Sequence, residues 1–132
     1  MAIQYNEIVL DHFQNPRNAG KIEGADGIGE HFSDFCGDHM CIYIAVADNR
    51  VDDIKFMSFG CAASIASGSV LTDMVKGNTL EDAAKTTKDD VVNALGGLPE
   101  QKIHCSVLAA DALCKAIQNY YAKLSGSGKV GD

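Results

Sequence analysis

A thiol and a carboxylate stand one glycine apart at Cys36-Gly37-Asp38, a spacing that can turn two metal-ligating side chains to the same side of a tight turn. Gly37 has no Cβ and so tolerates the positive φ that such a turn asks for. Two further stretches carry related chemistry. Gly60-Cys61-Ala62 lies where a strand-like pattern gives way to a helix-like one, and His104-Cys105-Ser106 opens the last long helical pattern. Each of these residues is placed near the end of an element. Helix N-termini favour thiolates at Cys61 and Cys105 through free N–H groups and the helix dipole. Thiolates select soft metals and iron–sulfur clusters, and imidazole suits zinc and iron alike. Cys36, Cys61 and Cys105 with one more donor would make a tetrahedral zinc site or one face of a [2Fe–2S] cluster, with Asp38 and His104 competing to be that donor.

Packing is the competing explanation for any free cysteine, since the residue is often a small buried hydrophobe. That explanation is preferred for Cys41, inside a strand pattern, and for Cys114, on the apolar stripe of the last helix. The other three have Gly, Asp or His beside them, which favours ligation. His12, His31 and His39 have no ligand-like company and are expected to be structural or exposed.

At 132 residues the chain is long enough for one self-sufficient core, with residues 1–124 expected as the domain and 125–132 as a flexible tail. Eleven basic against eighteen acidic residues give a net charge of −7, which attracts neither nucleic acid nor an anionic membrane. No apolar run approaches the roughly 20 residues of a membrane span, and the N-terminus lacks the pattern of a signal or transit peptide. A cytoplasmic protein, or an already processed organelle protein, is the expectation. Five cysteines at wide spacings, without C-x-x-C, speak for metal or thiol chemistry over a disulfide framework.

The elements that must position these residues are legible in outline. Residues 3–14 read as a helix stopped by Pro16, followed by a glycine-rich turn region from Asn15 to Gly29. Alternation from Met40 to Ala47 and from Val51 to Phe59, joined by Asp48-Asn49-Arg50, predicts a hairpin, with a third strand near Ile28–Phe35. Ala62–Lys76 predicts a helix ended by Gly77, and Thr79/Asp82 and Thr87/Asp90 predict two short capped helices. The longest helix is expected over 104–124, its apolar face widened by Ala110, Cys114, Ile117 and Tyr121.

Four ordered segments then point to a family: His12-Phe13-Gln14-Asn15-Pro16-Arg17-Asn18-Ala19-Gly20, Cys36-Gly37-Asp38, Phe59 through Ser67, and Leu98-Pro99 through Lys102-Ile103-His104-Cys105-Ser106. From about Tyr5 to Tyr121 the chain resembles the IscU/NifU-type iron–sulfur cluster assembly scaffolds. The resemblance implies an α+β fold of SufE/NifU-like type, with a small three-stranded antiparallel sheet and about five helices packed on it. It further implies that Cys36, Asp38, Cys61, His104 and Cys105 hold a nascent [2Fe–2S] cluster, iron, or zinc. A non-enzymatic scaffold is implied, monomeric or homodimeric, taking sulfur from a cysteine desulfurase and passing clusters to apo-proteins.

Three departures stand out: Gly60-Cys61-Ala62 in place of a double-glycine pattern, Gly68 within what is often a serine run, and Leu98-Pro99-Glu100-Gln101-Lys102. Many bacterial scaffolds have Leu-Pro-Pro-Val-Lys in the last segment as the handle for an Hsp70-type chaperone, and the replacements speak against that partner. The rival reading is a zinc-dependent sulfurtransferase of the SUF-type U family, whose members carry an insertion that the 44-position interval from Cys61 to Cys105 lacks. A purely structural zinc domain would explain the ligands, but not their placement at element ends.

Overall fold

Alternation in the middle of the chain builds the sheet. In a computed structural model that describes residues 5–33 and 37–126, strands β1 (Gly27–Phe32), β2 (His39–Ala47) and β3 (Arg50–Phe59) form an antiparallel meander in the order β1-β2-β3. Asp48 and Asn49 join β2 to β3 with φ of 53° and 61°, the left-handed pair that a two-residue hairpin turn needs. Met40, Ile42 and Ile44 of β2, with Val51, Ile54 and Phe56 of β3, are 0–2% exposed and make one face of the sheet the floor of the core.

Five helices complete the described residues: α1 (Glu7–Gln14), α2 (Ala62–Val75), α3 (Leu80–Ala84), α4 (Lys88–Ala94) and α5 (His104–Gly126), with a 3-10 turn at Glu100–Lys102 before the last. Gly77, at φ +89°, follows the end of α2, as its position predicted. Thr87 and Asp90 form a reciprocal capping box at the start of α4.

Helices and sheet approach through small residues. A side chain at Gly27 or Gly29 would run into the α5 backbone at Ala112 and Ala116, so α5 lies directly against β1. The sequence placed Gly27 in a turn region and Gly29 where that region overlaps the expected first strand; both are strand residues whose missing Cβ atoms make room for a helix. Gly68 of α2 has the same role on the other side, because a Cβ there would come within 2.5 Å of the Phe56 ring. Its cost in helix propensity is the condition for α2 to sit on β3. Gly29→Ala should therefore destabilise the protein by about 1–3 kcal/mol, the usual cost of overpacking. Urea denaturation checks this against Ile28→Ala, a neighbour that is 41% exposed and should cost less.

The segment after α1 docks along β3 and α2. Phe56 N–H donates to the Asn18 carbonyl and Gly20 N–H to the Phe56 carbonyl, each at 2.9 Å. His12 is buried, with Nδ1 2.7 Å from the Ser69 hydroxyl oxygen, which also accepts the Arg17 N–H at 2.8 Å. Burial, with the Arg17 charge adding to it, lowers the His12 pKa below the ordinary 6.5. The unfolded chain then binds the extra proton first, so this contribution is intact above about pH 6.5 and is lost as the pH falls below it. Urea midpoints between pH 7.5 and 5 should drop more steeply for the wild type than for His12→Asn, whose amide retains a partner for Ser69 without titrating.

The last helix departs from expectation on its outer side. Ala109, Leu113, Ala116 and Ile117 are buried, whereas Cys114 is exposed and Tyr121 and Leu124 are 45% and 59% exposed. The expected widening of the apolar face to Cys114 and Tyr121 is thus corrected, because α5 meets the sheet on one narrow stripe and leaves that flank to solvent. Cys41, as expected, is buried within β2.

Candidate metal centre

Three elements bring their ends together. Asp38 immediately precedes β2, Cys61 is the N-cap of α2 just beyond β3, and Cys105 is the second residue of α5. Cys61 Sγ lies 3.6 Å from Cys105 Sγ and 3.7 Å from Asp38 Oδ2, and Cys105 Sγ lies 3.8 Å from the same oxygen. Asp38, Cys61 and Cys105 thus offer three ligand atoms within 4.8 Å of one another. A tetrahedral zinc ion with bonds of about 2.0 Å to oxygen and about 2.3 Å to sulfur needs donor separations of roughly 3.5–3.8 Å. The triangle already has that size. His104, which opens α5, has Nε2 3.7 Å from Cys105 Sγ, in reach of a fourth position. Cys36 lies outside the described residues. Gly37 beside it has φ +77°, the conformation its sequence context predicted.

Two residues that sequence reading left without a role hold the carboxylate. Ser64, fully buried in the first turn of α2, donates its hydroxyl to Asp38 Oδ2 at 2.5 Å. Gly60 lies against the same group, and a Cβ there would come within 2.6 Å of Asp38 Cγ. The available signal was the Gly60-Cys61-x-x-Ser64 spacing, which places a hydroxyl one helical turn beyond an N-cap cysteine.

The thiols do not behave alike. Cys105 donates its S–H toward Cys61, which lowers the Cys61 pKa to about 5 against the opposing effect of burial, with Ser64 helping. The same bond, together with burial, raises the Cys105 pKa, since its ionisation would leave two thiolates side by side near a carboxylate. The expectation of thiolates favoured at both helix starts is corrected to one thiolate and one thiol. Their separation decides this, because two like charges at 3.6 Å outweigh a helix dipole. Lys102 responds to the Cys61 charge with a raised pKa, and Tyr5 is raised by burial and then by Cys61. A cation entering the triangle would remove the repulsion and release the Cys105 proton.

The other histidines are engaged elsewhere. His12 meets Ser69, His31 lies 3.7 Å from Asp111, and His39 Nε2 is 2.9 Å from Glu30.

Comparison with known proteins agrees with the geometry. The profile of the NifU-like N terminal domain matches residues 4–126. An iron–sulfur cluster assembly scaffold protein IscU of Archaeoglobus fulgidus is 60% identical over 126 residues, covering 96% of this chain and 80% of its own. The IscU of Haemophilus influenzae is 43% identical over 90% of this chain and 97% of its own. Among solved structures, a NifU-like protein (N-terminal) from Brucella abortus superposes with a TM-score of 0.71 at 23% identity over 89% of this chain and 94% of its own, a likeness of fold. The expected α+β architecture, a three-stranded antiparallel sheet carrying five helices, is therefore that of these relatives, and the chain belongs to the NifU-like N-terminal domain family.

Proposed function

We propose that the chain is a scaffold on which [2Fe–2S] clusters are built from iron and desulfurase-derived sulfur and then passed to apo-proteins. The observation that carries this reading is the Asp38–Cys61–Cys105 triangle, in which a ready thiolate stands beside a thiol and a carboxylate. The relatives named as iron–sulfur cluster assembly scaffold proteins support it.

The chemistry follows from the unequal thiols. The Cys61 thiolate attacks the outer sulfur of a persulfide on a cysteine desulfurase. An S–S bond forms to Cys61, the old S–S bond breaks, and the desulfurase cysteine leaves as thiolate; excess free cysteine thiol then supplies the electrons that reduce the persulfide sulfur to sulfide, being oxidised to cystine. Asp38, a hard oxygen donor, receives iron before sulfide is complete. Cys36 and Cys105 supply the other thiolates and His104 the alternative nitrogen donor, with residues 1–124 acting as one scaffold domain. Iron and sulfur are incorporated as cargo, so the role needs no catalytic turnover. The same donor set would hold zinc in protein isolated without a cluster. No helix among the described residues is long and apolar enough to cross a membrane, and we place the protein in the cytoplasm. Glu100 and Gln101 occupy the 3-10 turn before α5, so the segment corresponding to the Hsp70-type chaperone handle carries an acidic and an amide side chain in place of Pro-Val, which speaks against that partner.

Anaerobic incubation of the protein with iron(II), cysteine and a cysteine desulfurase tests the reading. The expected result is the visible absorption of a [2Fe–2S] cluster, with equal iron and acid-labile sulfide by analysis. Zinc uptake and persulfide on cysteine without acid-labile sulfide would replace it with the sulfurtransferase reading.

A further inference from the structure

The last rung of the sheet is aromatic from edge to edge. Phe32, His39 and Phe59 are cross-strand partners on β1, β2 and β3. Their side chains lie on the face away from the helices, since the next residue, Met40, is buried in the core. The His39 ring stacks on Phe32 with centroids 4.3 Å apart and planes 22° apart, and it runs parallel to Phe59, at 6.0 Å and 6°. Glu30 Oε2, 2.9 Å from His39 Nε2, fixes the ring between them. Both phenylalanines are 64% exposed, so core burial does not explain their order.

Each strand leaves this rung directly into the metal centre. Phe32 leads to Ser33, whose N–H donates to the Asp38 carbonyl at 2.8 Å, while Gly37 N–H returns to the Ser33 carbonyl at 2.7 Å. His39 follows Asp38 itself. Phe59 leads into Gly60, which packs on the Asp38 carboxylate, and then into Cys61. Asp38 is therefore one residue beyond the end of the strand ladder, where a sheet opens most readily. Beyond the ladder the described backbone pairing narrows to the Ser33–Asp38 and Gly37–Ser33 hydrogen bonds, and side-chain stacking across the final rung reinforces them.

We propose that the Phe32–His39–Phe59 stack is a positioning device for Asp38, clamping the open end of the sheet so that the carboxylate stays against Cys61 and Cys105. His39 is the central element, because it touches both outer rings and is covalently next to Asp38. The inference rests on the metal-centre reading of the preceding section. It assigns to the stack the control of how firmly the oxygen donor is held.

The test has a metal-free and a metal-loaded arm. In the metal-free protein, hydrogen exchange of the Ser33 amide, which is bonded to the Asp38 carbonyl, should quicken by about tenfold in His39→Ala, the scale of losing one to two ring contacts. His39→Phe should restore protection by keeping a ring between its neighbours. The Ile42 and Ile44 amides should stay protected throughout, reporting an intact sheet. Should His39→Ala not fold, Phe59→Leu removes an outer ring and takes its place. In the second arm, the rate at which cobalt(II) leaves should differ several-fold between His39→Ala and wild type, yet be equal in Asp38→Ala and the Asp38→Ala/His39→Ala double variant. Unchanged Ser33 protection in His39→Ala would overturn the proposal, as would an equal His39 effect with and without Asp38. Absence of thiolate-to-cobalt absorption in the wild type would instead sink the metal-centre reading, with the exchange arm still deciding the clamp.

Discussion

Cys105→Ser should reduce cluster assembly to background, whereas Cys114→Ser should leave it unchanged. Cys105 has two functions at once in the proposed scaffold. It is a ligand in its own right, and its S–H donates to Cys61 and so keeps that sulfur a thiolate at neutral pH. Serine is a harder donor whose hydroxyl can still hydrogen-bond Cys61 but stays protonated when a cation arrives, so the variant loses a soft ligand at the site. Loss of even an outer-shell partner costs a metal site roughly 10–100-fold, and the loss of this direct donor should exceed that. Cys61→Ser and Cys36→Ser should fail in the same way. Cys114 is exposed on the far flank of α5, where its sulfur meets the Gln118 amide at 3.5 Å, and among the described residues nothing connects it to the triangle. Cys41→Ser should cost stability, because it places a hydroxyl in a buried strand position, but should still assemble clusters. Reconstitution with iron, cysteine and a desulfurase, followed by absorbance and sulfide analysis, checks the series. Normal yield from Cys105→Ser, or loss of yield from folded Cys114→Ser, would contradict it.

Asp38→Ala should lengthen the lifetime of an assembled cluster several-fold and slow its transfer to an acceptor. Thiolates hold iron–sulfur clusters well, and a carboxylate is the harder, more readily hydrated donor of the set. Its charge also raises the pKa of both Cys61 and Cys105, so removing it favours fully ionised thiols. The Ser64 hydroxyl already occupies Oδ2, which leaves the carboxylate held by the protein and free to release iron. Decay of the cluster absorbance, and its transfer to an apo-ferredoxin, measure the two effects. Faster decay in the variant would make Asp38 a holding ligand rather than a releasing one.

The candidate donors could be read from the sequence because each sits at a visible break of pattern. Cys61 stands where alternation stops and helical spacing starts, and Cys105 follows a Gly-Gly-Leu-Pro interruption. The supports could not be read in the same way. Ser64 meets a carboxylate 26 positions away, and Gly29 meets α5 from the other end of the chain, so their roles exist only after tertiary packing. The unequal thiols were hidden for a related reason. A helix start can be recognised locally, but a second sulfur at 3.6 Å comes from an element 44 positions later and reverses the conclusion for one of the pair. Cys114 shows the opposite failure, since periodicity counted it into an apolar face that the sheet is too narrow to cover.

The distance between Cys61 and Cys105 also has a polymer meaning. In an unfolded chain, closing the 44-residue loop between these sulfurs would cost about 3 kcal/mol of chain entropy by the logarithmic law for flexible loops. The folded protein has met that cost through hydrophobic contacts of α2 and α5 that never touch a metal. Two soft donors distant in sequence consequently face an incoming ion as a pre-closed chelate, and the ion need do little ordering of its own. A carrier that must accept and release its load repeatedly benefits from this, because little of the chain has to be reorganised when the load departs.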